Sequence, residues 1–169
     1  MVGRIGLVGI DTANPSSWTT AKDKVLAHAK SDVICLQETK IARDNQIADA
    51  KRHARGLGWS TSHSAAKRTA AQGVSGGCAV AARKGIGICQ HPDGHVAPDR
   101  QRRVNHAWVN GIIRGGAHVF SVYAKDGIGP VGENLQRLEE LAAAIRSISG
   151  PCIVAGDWNM TPHTLAQTG

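Results

Sequence analysis

The chain has 169 residues, 41% of them hydrophobic, which is enough to bury the core of one domain and too apolar for wholesale disorder. Its 20 Lys and Arg residues outnumber 13 Asp and Glu, and the formal net charge of +7 favours anionic partners such as nucleic acids or phosphates. No apolar stretch has the length of a membrane span or a signal peptide, so we expect an intracellular protein without a membrane partner.

The cysteines show no spacing typical of a zinc site or a disulfide framework. None of the four stands in a Cys-x-x-Cys pair, and three fall inside apolar runs; they are Cys35, Cys78, Cys89 and Cys152. We expect all of them to be reduced, buried small hydrophobes.

The first half of the chain alternates short apolar runs with polar, helix-forming stretches. A turn over 14–17 precedes a helical pattern, with Ser17 or Thr19 as its N-cap. In chain order, this half predicts a strand over 4–10, a helix over 20–30, a buried strand over 32–37 and a basic, partly helical stretch over 40–68.

The second half contains the clearest periodicities. Residues 117–123 alternate as a strand does, and residues 133–148 carry an apolar stripe at helical spacing that ends at Gly150-Pro151. Further strands are predicted over 76–83 and 104–110, and a short, fully buried one over 152–155. The chain therefore reads as mixed α/β, in one domain spanning 1–169.

Three predicted strands end in residues suited to a site. The strand over 32–37 leads into Glu38, the strand over 117–123 ends in Tyr123, and the last strand leads into Asp157 and Asn159. Polar groups after the carboxyl ends of strands converge in α/β proteins, and this set suits a hard cation and a phosphate. Each residue alone is more often a helix cap or a solvated turn residue, so the combination carries the prediction.

Several segments occur in an order that resembles one enzyme family. They are Cys-Leu-Gln-Glu-Thr-Lys (35–40), Ser-Gly-Gly-Cys-Ala-Val (75–80) followed by Arg-Lys-Gly-Ile (83–86), Val122-Tyr123, Asn134-x-x-Arg137, and Gly-Asp-Trp-Asn (156–159). This ordered set is similar to the motifs of the endonuclease/exonuclease/phosphatase family, which includes apurinic/apyrimidinic and retroelement endonucleases. The resemblance extends from about residue 4 to the end of the sequence.

The resemblance implies a DNase I-like four-layer α/β sandwich and Mg²⁺-dependent phosphodiester hydrolysis, with Mn²⁺ as a possible substitute. Glu38 would be the principal metal ligand, and Asp157 would orient or deprotonate the attacking water. Asn159 and Tyr123 would donate hydrogen bonds to the phosphate. DNA is the expected partner, and the sequence does not identify a protein partner.

The chain departs from the family pattern in two places. The family's first strand ends in an Asn near the metal. Counting back from Glu38 by the family's usual spacing gives Asp11, with Asn14 as a near alternative. Asp11 is equally well interpreted as a capping residue in a turn. The family's Ser-Asp-His block lies well beyond the last motif and does not occur before Gly169. His163 is only a weak substitute for the His of that block. Without the block, we expect an incomplete domain that lacks its last strands, has an exposed sheet edge and shows weak or no activity.

Other features are less specific. The run His91-Pro92-Asp93-Gly94-His95 has metal-like composition but reads first as a turn. One set of basic residues forms either a solvated face or a phosphate-binding surface, and the sequence leaves both interpretations open: Lys51, Arg52, Arg55, Lys67, Arg68, Arg100, Arg102 and Arg103. Trp59 and Trp108 are predicted in the core, and Trp158 either lines the site or packs beneath it.

Three functions stay open at this point. The first is an endonuclease acting on DNA. The second is a non-catalytic remnant that still binds nucleic acid or phosphate. The third is a phosphatase of the same family, acting on a small phosphoester or a phospholipid.

Overall fold

The computed structural model describes residues 7–70, 73–90 and 103–167. Its strands are β1 (Ile10–Ala13), β2 (Val33–Leu36), β3 (Trp59–His63), β4 (Lys67–Arg68), β5 (Val74–Ser75), β6 (Ala79–Arg83), β7 (Ile88–Gln90), β8 (Val104–Val109), β9 (Ala117–Tyr123) and β10 (Cys152–Asp157). Its helices are α1 (Trp18–Thr20), which continues as a π-helical segment (Ala21–Leu26), α2 (Asp44–Gly56), α3 (Glu133–Ser147) and α4 (Pro162–Ala166).

Two four-stranded sheets form the centre of the molecule. The N-terminal sheet has the strand order β1-β2-β6-β3, and the C-terminal sheet has the order β10-β9-β8-β7. In each sheet one pair is parallel: β1 with β2, and β9 with β10. The strands β4 and β5 form a separate hairpin.

The two sheets pack face to face, and each is covered by helices on its other face. Val33 and Val80 of the N-terminal sheet share one core cluster with Val109 and Val119 of the C-terminal sheet. A second cluster joins the N-terminal sheet to the first helical segment and α2, and a third joins the C-terminal sheet to Leu141 of α3. The order helix, sheet, sheet, helix is the four-layer α/β sandwich that the resemblance implies, because each sheet must bury two apolar faces.

Several predicted elements are confirmed. The helix predicted over 133–148 is α3, and the predicted strand over 117–123 is β9 with the same bounds. Ser17 is the N-cap of α1, where its side chain accepts a hydrogen bond from the Thr20 backbone N–H. Trp59 is buried, and its indole Nε1 donates to the Leu26 carbonyl over 2.9 Å.

The first strand lies later in the chain than predicted. It covers Ile10–Ala13 instead of 4–10, of which residues 4–6 fall outside the described residues. The reason is its pairing with β2, in which Ile10 lies opposite Val33 and Ala13 opposite Leu36. Because β1 is an edge strand, it accommodates the exposed side chains of Asp11 and Thr12, which a search for apolar runs misses.

Cys89, Cys152 and the last strand were predicted to be buried, and for these residues of the C-terminal sheet the prediction was wrong. Cys152 of β10 and Cys89 of β7 are exposed, whereas Cys35 and Cys78 are buried, and all four thiols are free. β10 and β7 are the two edge strands of this sheet, so β10 is only partly covered. Trp108 is also half-buried instead of lying in the core.

Within the described residues, no helix combines the length and the apolar character needed to cross a bilayer.

The turn before β6 gives a test of the packing. Gly77 has φ +79°, and an added Cβ would lie 2.8 Å from the Thr39 hydroxyl and 3.1 Å from Ala66 Cβ. Gly85 also has a positive φ, of +100°, but an added Cβ there would meet nothing within 4 Å. Both Gly→Ala changes carry the left-handed penalty of about 1–2 kcal/mol. We expect Gly77→Ala to lower the free energy of unfolding by a further ~1–3 kcal/mol in urea denaturation, because it also overpacks. Equal losses in the two variants would contradict this packing.

Candidate active site

Four strand ends meet at one edge of the sandwich. β1 contacts β10 across the sheet interface, and β2 contacts β9. Each pair is parallel, and Asn14 after β1 contacts Asp157 at the end of β10, so the carboxyl ends of all four strands lie at the same edge. Asn14 follows β1, Glu38 follows β2, Tyr123 ends β9 and Asp157 ends β10, where the last two are register partners.

Buried polar side chains join the sheets just below this edge. Gln37, which is 1% exposed, donates from Nε2 to the Ser121 hydroxyl over 3.0 Å and accepts from the Thr12 hydroxyl over 3.2 Å. Ser121 in turn donates to the Leu36 carbonyl over 2.9 Å. This network fixes how the sheets stack, because its groups lose their partners if one sheet slides over the other.

The Asp157 carboxylate is held on both oxygens. Asn14 Nδ2 donates to Oδ2 over 2.8 Å, and the Asn159 backbone N–H donates to Oδ1 over 3.2 Å. Asn159 adopts φ +49° and donates from Nδ2 to the Ala124 carbonyl over 2.7 Å. These contacts orient the carboxylate and leave one amide hydrogen of Asn159 available to a ligand.

Glu38 lies in a strained loop beside Tyr123. Its φ is +49°, and the backbone N–H groups of Thr39 and Lys40 donate to the carbonyls of Gly77 and Gly76 over 2.9 and 3.1 Å. The Ser-Gly-Gly segment therefore anchors the loop that carries Glu38. A non-glycine residue held at positive φ is a conformational cost that occurs often at functional sites.

Tyr123 is buried at 8% exposure. Burial raises the pKa of its phenol, and hydrogen bonding to Glu38 and the charge of that carboxylate raise the pKa further. The Arg103 guanidinium stacks over the ring at 4.8 Å from its centroid and opposes these effects only partly. The phenol is thus kept as a neutral hydrogen-bond donor.

Gly156, which precedes Asp157, lies where β9 and β10 leave no room for a side chain. A Cβ at this position would overlap the backbone oxygen of Val122, its partner on β9. Any side chain would push β10 away from β9 and move Asp157 away from Tyr123. The glycine therefore allows the close strand approach on which the site depends.

Asn134 positions the loop after Tyr123. In the sequence, only its place in the family motif distinguished this residue. It is 1% exposed, accepts a hydrogen bond from the Lys125 N–H, and donates to the carbonyls of Lys125 and Gly129. Arg137 donates to its Oδ1 over 3.3 Å. The motif Asn134-x-x-Arg137 thus orders the connection between β9 and α3.

The structure brings Asn14, rather than Asp11, to the edge. Asp11 lies inside β1 opposite Ile34, and its side chain is exposed. Asn14, the near alternative to Asp11, contacts Asp157 directly and is the better placed residue. His163 lies on α4 with an exposed side chain, hydrogen-bonded to Gln167.

The remaining candidate residues lie in several different places. Trp158 packs against the cluster beneath α3, which includes Leu141. The histidine run 91–95, and Arg100 and Arg102, fall outside the described residues. Of the other predicted basic residues, three lie on α2, and Lys67, Arg68 and Arg103 line one cleft.

The oxygen donors at the edge fit a hard cation. Within the described parts of the chain, no three His, Cys, Asp or Glu residues form a metal-binding group. The edge offers the carboxylates of Glu38 and Asp157 and the amide of Asn14, whose oxygen also accepts from the Ser16 N–H over 3.1 Å. Mg²⁺ is commonly held by one or two carboxylates with water as the other ligands, and these donors are of that kind.

Comparisons with solved structures agree with the fold. ANGEL2, a 2′,3′-cyclic phosphatase in complex with adenosine-2′,3′-vanadate, matches with a TM-score of 0.60 at 17% identity, over 92% of this chain and 54% of that one. Humanized D. rerio TDP2 with 14 mutations gives 0.59 at 17% identity, over 96% and 66%. D. rerio TDP2 complexed with single strand DNA product gives 0.56 at 16% identity, over 95% and 64%. This chain therefore spans roughly half to two thirds of the length of these structures.

Comparison with the sequences of curated proteins gives no match. The sequence profile of the Endonuclease/Exonuclease/phosphatase family matches residues 8–166, nearly the whole chain, and the predicted motifs lie inside this range in the family order. The chain belongs to the endonuclease/exonuclease/phosphatase family.

Proposed function

We propose that this chain forms one domain that hydrolyses phosphodiester bonds of nucleic acid with the help of a divalent metal. The convergence of Asn14, Glu38, Tyr123 and Asp157 at one edge of the sandwich carries the proposal. Two carboxylates, an amide and a neutral phenol provide cation ligands and phosphate donors in one place.

Mg²⁺ is the proposed ion, with Mn²⁺ as a substitute, because the donors are hard oxygens and family members generally depend on a divalent metal. Glu38 is the principal ligand, with Asn14 beside it. When bound, the ion supplies Lewis acidity at the phosphate and favours departure of the leaving oxygen.

The protein groups have distinct roles in the proposed reaction. Asp157, held by Asn14 and Asn159, orients the attacking water and accepts its proton. Tyr123 and the second amide hydrogen of Asn159 donate to the phosphate oxygens as negative charge builds on them. Within the described residues, the Asp157 carboxylate accepts from Asn14 and Asn159 and from no histidine, so we expect slow turnover.

Nucleic acid is the favoured substrate class. The net charge of +7 attracts polyanions, and one structural neighbour was solved with a single strand DNA product. We propose DNA as the first substrate to test. The non-catalytic reading remains as one outcome of that test.

Removal of the site carboxylates tests the proposed activity. We expect Glu38→Gln and Asp157→Asn each to lower Mg²⁺-dependent hydrolysis of bis(p-nitrophenyl) phosphate, and nicking of supercoiled plasmid, by about 100-fold or more, since each removes a preorganised charge. Asn14→Ala should also lose activity, whereas the matched charge change Asp11→Asn should not. Equal residual activity in wild type and Glu38→Gln would refute the site. Glu38-dependent Mn²⁺ binding without turnover would identify a metal site without catalytic activity.

Tyr123 is the only tyrosine of the chain, so its ionisation can be followed directly. Absorbance at 295 nm should titrate above the ordinary tyrosine pKa of 10.0, because burial and Glu38 disfavour the phenolate. In Glu38→Gln the midpoint should fall towards that value as the repelling charge is lost. Asp11→Asn should leave it in place. An unchanged midpoint in Glu38→Gln would mean that the two side chains do not interact.

A further inference from the structure

A strongly basic cleft adjoins the proposed site and takes no part in the chemistry described so far. It has a volume of about 880 Å³ and lies between the β4–β5 hairpin and the start of α3. Five of its lining residues are cationic: Lys67, Arg68, Arg103, Lys125 and Arg137. Its two acidic residues are already paired within the protein, because Glu133 accepts from Arg137 and Glu140 accepts from Gln136.

Two guanidinium groups in the cleft have donors without a partner. Arg103 Nη1 and Arg137 Nε are both buried and make no hydrogen bond to the described parts of the chain. The other contacts of Arg103 hold it in place, since its Nη2 donates to the Ser75 hydroxyl over 2.9 Å. The protein therefore does not fully satisfy these two guanidinium groups, and an anion in the cleft would offset their charge.

The same residues repel each other in the absence of an anion. Burial lowers the pKa of Arg137, and the charge of Arg103 lowers it further. Two like charges held close together and partly buried form an unfavourable arrangement that a phosphate would neutralise. Arginine is also suited to phosphate because its planar donors match the phosphate oxygens.

Arg103 connects this cleft to the proposed active site. Its guanidinium carbon lies 4.8 Å from the centroid of the Tyr123 ring, and its backbone carbonyl accepts from the Tyr123 N–H over 2.7 Å. One side of this residue therefore borders the group proposed to contact the reacting phosphate, and the other side faces the cleft.

We propose that the cleft binds a second phosphate of the substrate strand, next to the one that is hydrolysed. This inference rests on the proposed function and narrows it: the substrate is an oligonucleotide, and a molecule with a single phosphate uses only half of the site. The second phosphate is either an internal backbone phosphate or a terminal one.

The test uses exposed cations on the rim, whose loss leaves the folded core intact. Lys67→Gln/Arg68→Gln removes two charges from the cleft, and Lys24→Gln/Lys30→Gln removes two exposed charges that do not line it. Binding is measured by fluorescence anisotropy of labelled single-stranded decamers, with and without a 5′ phosphate, over a range of salt concentrations. Hydrolysis of bis(p-nitrophenyl) phosphate, which has one phosphoryl group, is measured in parallel.

We expect the cleft variant to bind the decamers about 10-fold or more weakly, with a salt dependence reduced by about two phosphate contacts. Its hydrolysis of bis(p-nitrophenyl) phosphate should stay within about two-fold of wild type, as in the control variant. A loss confined to the phosphorylated decamer assigns a terminal phosphate to the cleft, and a loss with both decamers assigns an internal one.

Equal weakening in the cleft and control variants would overturn the proposal, because only general charge would then matter. Equal loss of bis(p-nitrophenyl) phosphate hydrolysis and decamer binding in the cleft variant would also overturn it, since the cations would then act on the reacting phosphate. If wild type hydrolyses nothing, the proposed function fails, while the anisotropy still decides whether the cleft binds phosphate.

Discussion

The buried hydrogen bonds of Gln37 determine the relative position of the two sheets. Apolar faces alone tolerate sliding, because dispersion and hydrophobic burial have little directional preference. The Gln37 amide, in contact with Ser121 of the opposite sheet, permits only one alignment with its donors and acceptors satisfied. Glu38 is the next residue, so this alignment also determines which group on the other sheet it faces. The site is in this sense a product of the sheet interface rather than of any single motif.

Much of the fold follows from local patterns. The strand β9 and the helix α3 were predicted with accurate bounds because each has a clear periodicity. The grouping of Glu38, Tyr123 and Asp157 followed from the rule that parallel strands present their carboxyl ends together. These inferences need only the identity of neighbouring residues in the chain.

The parts that were missed depend on contacts between distant residues. The choice between Asp11 and Asn14 depends on the register of β1 against β2, and no local pattern sets that register. Gln37 and Ser121 are 84 positions apart, and each looks ordinary in its own strand. Likewise, the composition reveals an excess of basic residues, but only the fold shows that Arg103 and Arg137 share one cleft.

Left-handed backbone conformations surround the proposed site. Of the described non-glycine residues, Ser16, Glu38, Lys40 and Asn159 have positive φ, and each follows or belongs to a segment at this edge. Glycine would adopt these angles without the steric cost that a side chain carries. Selection for thermal resistance alone would therefore favour glycine at position 38 and eliminate the carboxylate. Glu38 thus carries a conformational cost that glycine would avoid, the trade-off expected where chemistry and folding make opposite demands.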